Sequence, residues 1–256
     1  MKKTFIGIVA AIMLSSGVAN AADEERFSFG LEVAPSVSWL TNGGHKNVES
    51  DGAKFKFAGG LVAYYNFGVD NKYAVFSGIN YNGYGGQMKG DILNSNNGKI
   101  GTTQVEYDFQ ELEIPLGLRF RTGSVGPVRF TAHANLGLGI VTTGHAEGHS
   151  IAENSTDGSL VGTFYDGKPS NYGPARLRGT FGLALGAEYD VDAAIITAKI
   201  RWRGGLTNTY FHKNGLTPVR TLDLSDELYD QCHGNYYSNR LHMRAHSIDF
   251  VVGVLF

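Results

Sequence analysis

The sequence has one cysteine, Cys232, in 256 residues. A lone thiol excludes an intramolecular disulfide framework and a cysteine-rich zinc site. Charge is scarce: Asp, Glu, Lys and Arg make up 18% of the chain, against about 25% in an average soluble domain. The formal net charge of −2 and the isoelectric point near 6.4 leave no basic footprint for nucleic acid. No apolar run reaches the length of a membrane-spanning helix, and the mean hydropathy is −0.15. Proline is also low, at 6 residues. What the chain has in excess is glycine, 35 copies, and aromatic residues, 12%.

The first 21 residues, MKKTFIGIVAAIMLSSGVANA, differ from the rest. Lys2 and Lys3 precede a short apolar core from Phe5 to Leu14. Ala19-Asn20-Ala21 forms a small-residue cleavage site, followed by Asp23, Glu24 and Glu25. This is the pattern of a secretory signal peptide, too short to span a bilayer. Residue 22 is Ala, so a lipid anchor is not expected. Cleavage would leave a single domain, residues 22–256, outside the cytoplasm.

From Arg26 onward the dominant period is two, the period of half-buried strands. Eight alternating runs follow. They start at Phe27, Lys54, Tyr73, Val105, Val128, Leu177, Ile196 and Ser247, and the last ends the chain at Phe256. In the fourth, Val105, Tyr107 and Phe109 give way to Leu112, Ile114, Leu116, Leu118 and Phe120. That change of phase at Gln110-Glu111 predicts a β-bulge. Pro35 and Pro115 fall inside strands, where a missing donor calls for a bulge or local break. Short turns are expected at 68–72, 122–127 and 190–193. Long polar connections are expected at 41–53, 87–103, 144–175 and 208–241.

Short turns alternating with long loops describe an all-β chain, an eight-stranded antiparallel up-and-down transmembrane β-barrel with four long extracellular loops. A soluble barrel around an apolar ligand would have the same strand count. Here one face is Phe, Leu, Ile, Val, Tyr and Trp. The other carries Glu32, Lys54, Lys56, Glu113, Arg119, Arg129, Arg178, Glu188, Lys199, Arg201, Arg203 and Asp249. An eight-stranded barrel is filled by its own side chains, so the charges belong inside only if the solvent outside is lipid. Closure then satisfies every backbone group. Phe27, Phe67, Tyr73, Phe120, Tyr189 and Phe256 mark one aromatic girdle, and Trp39, Phe55, Tyr107 and Trp202 the other. The expected location is the outer membrane of a Gram-negative bacterium.

The stretch Phe109 to Phe120, FQELEIPLGLRF, resembles the aromatic-x-x-L-E-I-P-L-x-L-x-aromatic strand of the PorT-like family of small, porin-like outer-membrane β-barrels. The terminal Phe256 resembles the signal read by the barrel assembly machinery. The resemblance implies an eight-stranded barrel of mostly unassigned function and supplies no catalytic residues.

Glu32, Glu113, Lys199, Arg201 and Asp249 fall at similar mid-barrel depth, with His133 close by. A lumen ion-pair network is therefore expected, with Lys199 and Arg201 beside Asp249 and Glu32, and Glu113 facing His133 or Arg119. His145 and His149 could offer imidazoles to a metal, but the spacing is not that of a zinc protease helix. Cys232 and His233, with His212 and His242, have no spacing that fixes them together. His246 and Ser247 are adjacent strand residues and point to opposite faces, so the histidine cannot activate the serine. No cofactor, metal or catalytic residue is expected. Tyr210, Phe211, Tyr229, Tyr236 and Tyr237 suit a loop surface that contacts an extracellular protein or glycan, or one that folds over the barrel mouth. The leading reading is a non-enzymatic, plugged barrel serving binding or envelope integrity, with outer-membrane lipid as its surroundings. A small solute channel and an outer-membrane enzyme acting on lipid or peptide are the alternatives.

Overall fold

The computed structural model describes residues 26–43, 48–93, 99–152, 159–167, 172–191, 194–212 and 243–256. The signal peptide, Cys232, His233, His242, Tyr229, Tyr236 and Tyr237 lie outside them. The chain forms strands β1 (Phe27–Asn42), β2 (Val48–Phe67), β3 (Tyr73–Leu93), β4 (Lys99–Arg121), β5 (Val128–Ala152), β6 (Ser159–Gly167), β7 (Tyr172–Pro174), β8 (Leu177–Asp190), β9 (Ile195–Gly205), β10 (Tyr210–His212) and β11 (Met243–Leu255). Eight of them, in the order β1, β2, β3, β4, β5, β8, β9, β11, pair antiparallel into a ring that closes from β11 to β1. At the seam Phe256 N donates to Phe29 O at 2.7 Å and Phe29 N to Phe256 O at 3.0 Å. The eight-stranded barrel read from the alternation is the fold observed.

The tight turns gather at one end. Asp70 and Asn71, at φ of 57° and 52°, follow Gly68 at 85° between β2 and β3, and Gly126 at 62° lies between β4 and β5. Gly and Asn adopt such angles at little cost. Phe27, Phe67, Tyr73, Phe120, Tyr189 and Phe256 ring this end, all exposed on the outer wall. On β2, ten residues separate Phe67 from Phe57. At about 3.3 Å per residue and about 40° of tilt they climb roughly 25 Å, the height of an outer-membrane apolar band.

Above that height the barrel continues. β3, β4 and β5 run for 21, 23 and 25 residues, about twice what a bilayer needs. Much of the stretches expected as loops at 87–103 and 144–175 is therefore a sheet of β3, β4, β5 and β6 rising beyond the membrane. The expected loop at 41–53 shrinks likewise, and β10 pairs with β7 where the fourth loop begins.

The bulge expected on β4 is on its neighbour. Gln110 pairs with Thr143 and Glu111 with Val141, leaving Thr142 as the extra residue on β5. β4 keeps its phase: Val105, Tyr107, Phe109, Glu111, Glu113 and Arg119 all point inward and are buried. What changes at Gln110 is which face is apolar. Below it the outside faces lipid; above it the outside faces water, so apolar side chains turn inward. Tyr107, 4% exposed, is thus not a girdle residue. It joins Leu40, Tyr84, Met88, Val105, Phe109, Val141, Met243 and Ala245 in an apolar cluster inside the mouth opposite the tight turns. Phe55 remains exposed, and Trp39 and Trp202 half-exposed, on the outer wall.

Neither proline causes a bulge. Pairing lapses between Val33 and Ser36 on the β11 side, and between Ser77 and Asn80 opposite Pro115, with no change of register. Ser77 Oγ fills in by donating to Pro115 O at 2.8 Å.

Candidate functional site

The lumen is packed by charged side chains from five strands, because β-pleating sends alternate residues of every strand inward. Near the tight-turn end Glu188 holds two arginines, Arg119 at 2.9 Å and Arg121 at 2.7 Å. The Arg119 guanidinium also donates to Asn66 Oδ1 at 2.5 Å and lies 4.0 Å over the Tyr64 ring. Higher up, Lys199 Nζ sits 2.6 Å from Glu32. Asp249 accepts from Arg201 at 2.8 Å, Arg203 Nη2 at 3.2 Å and Ser36 at 2.6 Å. Arg203 reaches on to Glu113 at 3.2 Å. Glu113 also accepts from Thr180 at 2.9 Å and from Asn82. Uppermost, Arg178 pairs with Glu111 at 2.8 Å and donates to Ala245 O at 3.2 Å. Five carboxylates thus meet six cations, and above them lies the apolar cluster.

Several expected neighbours meet, and others do not. Lys199 reaches Glu32, and Arg201 reaches Asp249. Glu113 turns to Arg203, not to Arg119 or His133, because Arg119 is drawn down to Glu188. His133 sits edge-on to the rings of Tyr64 and Phe76, at 6.2 and 5.6 Å. Its Nδ1 has no hydrogen-bond partner among the described residues.

Glu111 escaped the sequence reading, since the bulge expected at Gln110-Glu111 left its direction unassigned. Arg203 was visible as an inward charge, but its bridging role depends on side-chain length that alternation does not encode. Tyr84 and Tyr64 gave no signal, being aromatics on a face read as polar.

His145 lies on the outward face of β5, 3.6 Å from Glu147. No group of three or more His, Cys, Asp or Glu side chains suited to a metal occurs among the described residues. His246 and Ser247 do face opposite ways: Ser247 is buried in the lumen, while His246 stacks outside between Trp39 and Trp202, 5.9 and 6.1 Å away.

Lipid-facing apolar walls and a charged interior are the marks of a barrel built for a membrane, and residues 18–210 match the family model described as outer membrane protein beta-barrel domain. The chain belongs to that family. It is thereby an outer-membrane β-barrel. Among solved structures it is similar to neisserial surface protein A, at 12% identity and a TM-score of 0.40, covering 90% of this chain and 95% of that one. OprG from Pseudomonas aeruginosa is similar at 10% identity and 0.39, covering 90% and 95%. The outer membrane protease OmpT from Escherichia coli is similar at 10% identity and 0.37, covering 94% and 99%. No curated protein matches the sequence.

Proposed function

We propose that this outer-membrane barrel is a non-enzymatic, plugged platform that carries a binding surface above the membrane. The observation behind the reading is the continuous filling of the lumen, from the Arg119–Glu188 pair through Asp249 and Glu113 to the apolar cluster of the mouth. Side chains tied this way leave a solute no aqueous path. The sheet of β3 to β6 is a larger exposed surface than a plug alone requires, and it fits an extracellular protein or glycan partner or a role in envelope integrity. The FQELEIPLGLRF strand supports a place among PorT-like barrels, with Glu111, Glu113 and Arg119 serving the lumen and Leu112 to Phe120 alternately serving the lipid. Phe256, exposed at the seam, suits the signal for the barrel assembly machinery. Residues 1–21 fit the cleaved export signal.

Conductance tests the plug. The purified full-length barrel in planar bilayers is expected to give no large, steady pore. A stable porin-sized conductance would replace this reading with the small solute channel.

A further inference from the structure

One register row crosses four strands of the barrel. Arg119 on β4 pairs with His133 on β5, His133 with Ala184 on β8, and Ala184 with Arg201 on β9. Lys199 lies one inward position below Arg201. His133 is therefore set among three cations, with no carboxylate in its own row on either side until Asp249. A cavity opens here, lined by Glu32, Asn80, His133, Asn135, Lys199 and Arg201. Its free volume of about 10 Å³ admits the centre of one water-sized particle.

The donors around it outnumber the acceptors. Lys199 spends its short contact on Glu32 and Arg201 spends Nε on Asp249. The buried His133 Nδ1 has no hydrogen-bond partner among the described residues. Asn80 and Asn135 add two amide groups. Arg119, the register partner of His133, shares its one carboxylate, Glu188, with Arg121. A buried unpaired charge is costly, and it is relieved by a partner of opposite sign.

We propose that this cavity is a binding site for one monatomic anion, with chloride as its ligand. The site would be completed by Lys199, Arg201 and His133, the imidazole donating from Nδ1. The volume excludes sulfate and phosphate, and the donor set favours an anion over a cation. The inference rests on the plugged-lumen reading, because a water-filled pore would leave the same groups hydrated.

The test uses the whole chain refolded in detergent with sodium bromide, sodium chloride or sodium gluconate at equal ionic strength. Crystals of the bromide form, measured at the bromine edge, are expected to show one anomalous peak between Lys199, Arg201 and His133. The barrel should melt about 5 °C higher in either halide than in gluconate. His133→Leu removes a donor while keeping an uncharged side chain, and it should erase most of that halide-dependent difference. Ordinary water density with no anomalous signal would overturn the proposal, as would an anomalous peak with identical melting in all three salts, which marks an adventitious ion only. Bilayer conductance of the same preparation separates the two failures. A closed barrel without a halide effect sinks the anion site alone, whereas a steady pore sinks the plug beneath it.

Discussion

Arg178 lies over the ring of Tyr84, its guanidinium carbon 4.1 Å from the ring centroid, while its Nη1 holds Glu111 at 2.8 Å. This contact joins the polar lumen to the apolar cluster above it, since Tyr84 also packs on Phe109 at 5.1 Å. Glu111→Ala leaves Arg178 buried with only the carbonyl of Ala245 and the ring, and should cost about 3–5 kcal/mol. Tyr84→Leu keeps the ion pair and loses only the cation–π contact and some packing, so about 1–2 kcal/mol is expected. Heat-induced mobility shift in detergent gels, or calorimetry, should rank the two in that order.

The upper part of β3 bows into the mouth, and glycine permits it. A Cβ on Gly86 would sit 2.7 Å from Leu40 N and 3.1 Å from Trp39 Cα, both backbone atoms that cannot step aside. Pairing between β2 and β3 lapses alongside, between Gly52 and Ala58. Gly86→Ala should therefore destabilise the barrel by about 1–3 kcal/mol through overpacking. Gly123→Ala is the matched control, with nothing within 4 Å of its would-be Cβ and no change expected. Equal melting of the two variants would mean that β3 does not press on β1.

The membrane-spanning part was legible in the sequence because a single physical rule governs it. Outside is lipid, inside is crowded, and alternation such as Leu112, Ile114, Leu116 against Glu113, Arg119 reports both. The rule failed where the solvent changes. Val105, Tyr107 and Phe109 alternate as cleanly as the residues below them, but the pattern cannot say that water has replaced lipid outside, so their inward direction was missed. Side-chain reach was missed too: Arg203 bridging Asp249 and Glu113 joins three strands that are not all neighbours.

Above the membrane, Lys54 and Lys56 tie β2 to Asp108 and Glu106 on β4. The hydrogen bond from Lys54 holds the Glu106 carboxyl below its usual range, against a smaller opposing effect of burial. A depressed carboxyl stabilises the fold above its ordinary pKa, and that contribution is lost as pH falls through its lowered value. Protease resistance of the sheet above the membrane should accordingly fall in that acid window and in high salt. Lys54→Met should remove the Glu106 contribution to this acid sensitivity; an unchanged acid profile in the variant would show that other carboxylates set it.

Topology follows from the even strand count, which returns the chain to its starting side. An epitope inserted in the β3–β4 connection should bind antibody on intact cells. One placed at Asn71, in the tight β2–β3 turn, should bind only after the outer membrane is opened. The reverse pattern would turn the barrel over and put the β3–β6 sheet in the periplasm.

Glu113 and Arg203 offer the sharpest measure of how dry the lumen is. Glu113, 1% exposed, accepts from Arg203, Thr180 and Asn82. Arg203 holds both Glu113 and Asp249. The two truncations are therefore unequal. Glu113→Ala leaves Arg203 with Asp249 as a counter-charge, and only the shared half of the pairing is lost. Arg203→Ala leaves Glu113 with two neutral donors and no cation within salt-bridge distance, while Asp249 keeps Arg201. In a dry lumen the orphaned carboxylate costs most, so Arg203→Ala should approach about 3–5 kcal/mol and Glu113→Ala should fall below it, yet clearly lower the melting temperature. Thr180→Val removes one neutral donor and should cost about 1 kcal/mol. Water in the lumen would solvate whichever group is orphaned, collapsing all three toward zero. Melting curves of the three variants in one detergent thus report the interior independently of conductance, and three thermally neutral variants would overturn the dry plug.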